Sequence, residues 1–138
     1  MTAEQEKFVP SSTSMETARA QEPPESPSDK AQRIARIRDL NDRLRKEGTG
    51  GIVYMTNGVA ALGLAALNVI FKAIAAFSDF SAENDPWDEH DCAVLTVNGR
   101  GIIWKIDYYD RSRTYLSPDP ADPKVTVRVM TVMLTEEY

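Results

Sequence analysis

The sequence has little of what most small enzymes and secreted domains are built on. It holds one cysteine, Cys92, and one histidine, His90. A single thiol forms no internal disulfide, and one thiol with one imidazole falls short of a zinc set. This cysteine usage fits a reducing compartment, and we read the chain as cytoplasmic. No cationic start followed by an apolar run opens MTAEQEKFVP, so no secretory signal is read there. There is no nucleophile elbow, and the TGG of Thr49–Gly51 precedes a strand pattern rather than following one, as a phosphate loop requires. The longest apolar run, Gly58–Phe77, contains Asn68 and Lys72 and is interrupted by Gly63. A core helix accounts for those letters at less cost than a membrane span.

What is present divides the chain in two. Residues 1–28 are rich in Glu, Ser, Thr and Pro and nearly empty of large apolar side chains after Val9. Such a segment buries too little surface to offset its ordering entropy, so we expect a disordered tail. Residues 29–138 are expected to form one small domain, large enough for a single core.

The domain opens with DKAQRIARIRDLNDRLRKEG. Ser28 or Asp29 is a candidate N-cap and Gly48 a candidate C-cap. Ile34, Ile37, Leu40 or Asn41, and Leu44 recur at helical spacing and form one narrow apolar stripe. The remaining surface is charged. Residues 31–46 carry a net +4 in a chain whose total is −5. A solvated helix face with Asp–Arg pairs is the leading reading. Nucleic-acid docking is the alternative, disfavoured because no aromatic residue interleaves the arginines.

IVYMT, between glycine clusters, predicts a strand over Ile52–Thr56. Asn57-Gly58 then turns the chain into an apolar helix over Val59–Phe77, broken at Gly63 and expected at the centre of the core. Asn98-Gly99 predicts a two-residue hairpin turn. The register that follows sets Val97 against Arg100, Leu95 against Ile102, Ala93 against Trp104, Cys92 against Lys105, and His90 against Asp107. Both faces of this hairpin hold apolar residues, which predicts cover on both sides. SPDPADP is a turn-rich connector. For KVTVRVMTVMLTEEY both strand and helix patterns fit, and Asp122-Pro123 tips the expectation to a helix. The expected fold is α+β: an antiparallel sheet of about three strands, packed with about three helices.

Five blocks occur in order: TGGIVYMTNGVAAL, NDPWDEHD, WKIDYYD, SPDPADP and VMTVMLTEEY. Together they resemble a bacterial family catalogued as domain of unknown function 3768, over about Ile37 to Tyr138. The resemblance implies no reaction. It implies alphaproteobacterial and plasmid-borne company, and hence an accessory factor of mobile elements.

Candidate chemistry gathers in NDPWDEHDC. Asp85, Asp88, Glu89, His90 and Asp91 offer ligand types for a metal, but consecutive acids diverge in an extended chain, and no metal or cofactor is expected. An acid–base site would use His90 with Asp107, beside Asp91 and Lys105. It lacks a nucleophile, so a cross-strand pair fixing the register is the leading reading. Asp85, Trp87, Tyr108, Tyr109 and Asp110 are candidate contacts for a partner, since tyrosine is enriched at interfaces. The function expected first is a non-enzymatic interaction protein, in one version an acidic mimic of nucleic acid. A small hydrolase using His90 and Asp107 is the second reading, and nucleic-acid binding through the arginine helix the third.

Overall fold

The structure, a computed structural model, describes residues 23–138. The tail expected over residues 1–28 lies outside the described residues as far as residue 22. Its last two residues, Pro27 and Ser28, already belong to helix α1, Pro27–Glu47. The first turn of α1 falls in an N-terminal unit that ends at Lys30, and the body described below begins at Ala31. Ser26, rather than Ser28 or Asp29, caps the helix, its hydroxyl accepting from the Asp29 amide at 3.0 Å. Pro27 takes the first helical position, where its missing N–H costs nothing. At the other end Gly48 adopts φ 74° and donates to the Leu44 carbonyl, the left-handed stop that glycine suits. The buried stripe of α1 is Ile37, Asn41, Leu44 and Arg45. Two of these four are polar.

Strand β1, Ile52–Met55, is followed by the short helix α2, Asn57–Ala60, and by helix α3, Leu64–Ala76. The chain breaks between the helices at Gly63, φ 92°, as the sequence predicts. The expectation that this run lies centrally in the core is corrected. In α3 only Ile70 and Ile74 are buried, while Leu64 is 79% exposed. Alanine-rich turns cover the sheet on one side and leave the other side wet.

The hairpin forms in the predicted register. Strand β2, Cys92–Val97, and strand β3, Arg100–Tyr109, pair from Val97↔Arg100 to Cys92↔Lys105. Asn98 and Gly99 both take positive φ.

The C-terminal block is not a helix. Val127–Leu134 forms strand β4, closed by a 3-10 turn over Thr135–Glu137. β4 lies inside the sheet, whose order is β1-β4-β3-β2, parallel to β1 and antiparallel to β3. The described residues thus form a four-stranded, mixed sheet, where about three antiparallel strands were expected. An interior strand carries apolar residues on both faces, which blurs the two-residue alternation enough to imitate a helix stripe. The Asp122-Pro123 signal is a turn: the Asp122 carboxylate accepts from the Lys124 amide.

The three described α-helices cover the same face of the sheet. Leu44, Val59, Ile70 and Ile74 meet Ala93, Ile102, Trp104, Ile106, Met130 and Val132 in one core. Full burial of a side chain such as Ile102 or Val132 contributes roughly 1.5–3 kcal/mol. The opposite face carries Val94, Ile103, Lys105, Asp107, Tyr109, Val129, Thr131, Met133 and Tyr54, as the registers require. No helix among the described residues lies on it, although Ile103, Val129 and Met133 there are each under 10% exposed. No described helix is long and apolar enough to cross a membrane.

The last turn is tied back to the start of α2. Glu137 accepts from the Thr56 hydroxyl at 2.6 Å, the Leu134 amide at 2.8 Å and the Gly58 amide at 3.1 Å. These bonds, the one from Thr56 foremost, hold its carboxyl below the ordinary glutamate range. A Cβ at residue 58 would overlap that carboxylate. Glu137→Ala and Gly58→Ala should each lower the melting temperature, and the double variant should lose less than the sum. A depressed carboxyl stabilises above its unfolded pKa and ceases to as pH falls through the folded one. The melting temperatures of wild type and Glu137→Ala should therefore converge on acidification.

Candidate functional site

Two neighbourhoods gather the side chains singled out in the sequence. The first is a polar hub beneath the acidic loop. Arg45, its side chain only 1% exposed, donates to the Ile74 carbonyl at 2.8 Å, the Phe77 carbonyl at 3.0 Å and Asp42 at 2.7 Å. Its guanidinium thus occupies the C-terminal end of α3, where free carbonyls favour a cation. It also lies over the rings of Phe80 and Trp104 at 5.3 and 5.2 Å. Asp42 binds Nδ1 of His90 at 2.9 Å. The imidazole stacks on Phe80 with centroids 3.7 Å apart and planes 7° from parallel.

The expected pairing of His90 with Asp107 is therefore not made. The antiparallel ladder ends at Cys92↔Lys105, with a last bond from the Ile106 amide to the Asp91 carbonyl. Beyond it Asp88 and His90 take φ of 58° and 54°, and the chain curls inward toward α1. Asp85, buried, stabilises this curl by accepting from the amides of Glu89 and His90.

Asn41 extends the hub across the sheet. It donates to the Glu89 carbonyl at 3.0 Å and the Tyr108 hydroxyl at 2.7 Å, and accepts from Arg128 at 2.6 Å. Arg128 also donates to the Pro120 carbonyl. Tyr108 in turn donates to Glu89 at 2.7 Å. Burial, then this bond, pushes the Tyr108 hydroxyl far above its ordinary pKa. Tyr108 thus faces inward, away from any partner.

Of the metal-type residues, ligand atoms of Asp85, Asp88 and His90 lie within 4.8 Å of one another, while Glu89 and Asp91 stand apart from that set. All three have partners already: backbone amides for Asp85, Arg38 at 2.9 Å for Asp88, and Asp42 for His90.

The second neighbourhood is the open sheet face. Lys105 and Asp107 pair with each other at 3.5 Å. A shallow cavity of about 280 Å³ lies beside them, lined by Tyr54, Tyr109, Arg113, Val129 and Thr131. Asp91, half-buried, ends the β2–β3 ladder opposite Ile106. Burial raises its pKa, and the carboxylates of Glu89, Asp85 and Asp107 push it further the same way. Burial, then Asp91, also pushes the Cys92 thiol up. Asp110 holds the turn after β3, accepting from the Ser112 hydroxyl and from the amides of Thr114 and Tyr115. Trp87 stands alone at the loop tip, 70% exposed.

Of the sequence candidates, Lys105, Asp107 and Tyr109 come together on the open face. His90, Asp85 and Tyr108 belong to the hub. Asp42, Asn41, Arg45, Arg128, Tyr54, Thr131 and Arg113 were not singled out as site residues. Only Asn41, at a core position of the helical stripe, gave a readable signal.

The molecule is thus a two-layer α+β domain, with its described helices on one face of a four-stranded sheet. The chain belongs to the family described as protein of unknown function (DUF3768), whose model matches residues 55–137. No curated protein and no solved structure matches it.

Two predictions follow from the electrostatics. Burial raises the pKa of Asp42, but the hydrogen bonds from Arg45 and His90, with their charges, outweigh it and hold the carboxyl below its ordinary value. Its contribution is present above the unfolded pKa and lost as pH falls through the folded one. Asp42→Asn should lower stability at pH 7 by about 1–3 kcal/mol and flatten the acid limb of a stability–pH curve from urea melts. Asp91 has the opposite sign, since a raised carboxyl opposes folding once it is ionised. Asp91→Asn should raise the melting temperature at neutral pH, and the gain should vanish as pH falls through the unfolded carboxylate range.

Proposed function

We propose that this protein is a non-enzymatic interaction module, a cytoplasmic accessory factor of a mobile element that works by protein–protein contact through the open face of its sheet. The observation that carries this reading is the one-sided architecture. Val94 and Tyr54 are 62% and 48% exposed on a face that no described helix covers. Between them Ile103, Val129 and Met133 are nearly buried, so a partner would meet Val94 and Tyr54 together with the half-exposed Lys105–Asp107 ion pair.

The hydrolase reading loses its acid–base pair, because His90 is engaged by Asp42 and Asp107 by Lys105. Imitation of nucleic acid is poorly supported, because Asp42, Asp85, Asp88 and Glu89 each hold a partner within the molecule. Nucleic-acid binding through α1 is weakened in the same way. Arg45 is buried and Arg38 is paired with Asp88, which leaves Arg36, Arg43 and Lys46 exposed with Asp39 among them.

A photo-crosslinking residue placed at Val94, in cells expressing the full chain, tests the reading. A discrete protein adduct should form there and not from the same residue at Leu64 on the outer side of α3. Lys105→Glu should abolish the adduct without shifting the melting temperature by more than about 1 kcal/mol equivalent, the usual scale of a surface ion pair. Adducts only from Leu64, or none from either position, would overturn it.

A further inference from the structure

The cavity on the open face has a chemistry of its own. Tyr54 on β1 is in register with Thr131, and Tyr109 on β3 is in register with Val127. The two rings therefore reach the cavity from opposite corners, with Val129 between them as floor. This gives a ring-lined seat of mixed polarity, just under the volumes of pockets for drug-sized ligands and sized for a single side chain. At its rim stands Arg113, exposed, whose guanidinium makes one polar contact among the described residues, a long 3.5 Å bond to the Tyr54 hydroxyl. Arg111 beside it is exposed as well, and neither guanidinium has a carboxylate partner among the described residues. In a chain of net charge −5, where Arg38 and Arg45 each find a carboxylate, these two arginines are uncompensated. A guanidinium beside a ring-lined apolar floor complements a carboxylate adjoining an apolar or aromatic group. A polyanion is matched poorly, because Asp107 and Asp110 interrupt the positive charge along β3 and its turn.

We infer that this notch receives a peptide segment of the partner in which a carboxylate adjoins an aromatic side chain, the carboxylate on Arg113 and the ring over Val129 between Tyr54 and Tyr109. The inference rests on the interaction-module reading and names the chemistry of its partner. A chain terminus ending in an aromatic residue is the simplest such segment, and it supplies the probe.

The test is an NMR titration of the isotope-labelled full chain with N-acetyl-Gly-Gly-Phe as the free acid, beside the same peptide as its C-terminal amide. The free acid should move the amide signals of Tyr54, Val129, Thr131 and Tyr109. Affinity should fall about tenfold for the amide and for Arg113→Ala, the scale of one charge-assisted hydrogen bond. Arg113→Gly, which suits the φ of 60° at that position, should lose the response equally. That variant separates a lost guanidinium from a lost turn. Arg43→Ala on α1 should bind as wild type does. No signal movement up to about 10 mM, equal response to acid and amide, or indifference to Arg113→Ala would each overturn the inference. So would a thymidine oligonucleotide that moves the same signals when neither peptide does. A Val94 adduct that persists unchanged in Arg113→Ala would sink this inference alone and leave the module reading standing.

Discussion

The polar pins along α1 determine where almost everything else lies. Asn41, Asp42 and Arg45 occupy neighbouring positions on the inward side of the helix, where a sequence pattern calls for apolar residues. Buried polar groups are costly unless their hydrogen bonds are made. Here most are made to separate elements: the end of α3, the acidic loop, β3 and β4. Each bond is short-ranged and directional, so together they fix the docking angle of α1 in a way that the apolar contacts of Ile37 and Leu44 alone would not. The exceptions, the Nε of Arg45 and the indole Nε1 of Trp104, have no hydrogen-bond partner. The guanidinium instead faces the Phe80 and Trp104 rings, where part of its charge meets the π surface.

That hub explains the acidic loop. A run of carboxylates around one histidine looks like a site because those residue types build sites. In the fold they are divided among backbone amides, Arg38, Tyr108 and the imidazole. The positive φ values at Asp88 and His90 are held by the Asp85 carboxylate and the stacking on Phe80. The histidine is oriented by an aspartate, as in many catalytic dyads. Here the aspartate is shared with a buried arginine and the ring is covered by an aromatic, an arrangement suited to holding a loop in place.

How far the sequence is legible follows from the range of each interaction. The hairpin register was readable to the residue because Asn98-Gly99 is a local signal with one geometry. The break at Gly63 and the stop at Gly48 were readable for the same reason. His90 was misplaced because extending the register two residues past Cys92 ignored Asp85, whose carboxylate bends the chain from five residues away. β4 was misread because its environment is non-local: two neighbouring strands and buried residues on both faces remove the alternation that marks a half-exposed strand. The partners of Asn41 lie 48, 67 and 87 residues away, at Glu89, Tyr108 and Arg128. No spacing rule reaches that far.

The same logic bears on the open face. A two-layer domain with its helices on one side can satisfy its core without its other surface, provided that surface is polar. This one is not uniformly polar. Ile103, Val129 and Met133 are each under 10% exposed, although no described helix lies above them. Around them stand exposed Val94 and Tyr54, side chains that gain little from water. The ion pair of Lys105 and Asp107 sits near the centre, where lone charges of either sign would deter most partners. Its two members neutralise each other and leave the face free of net repulsion toward an incoming chain. On the proposed reading, a sheet surface that is neutral at its centre, tyrosine-bearing at one end and cationic at that rim would meet a partner that is apolar first and acidic second.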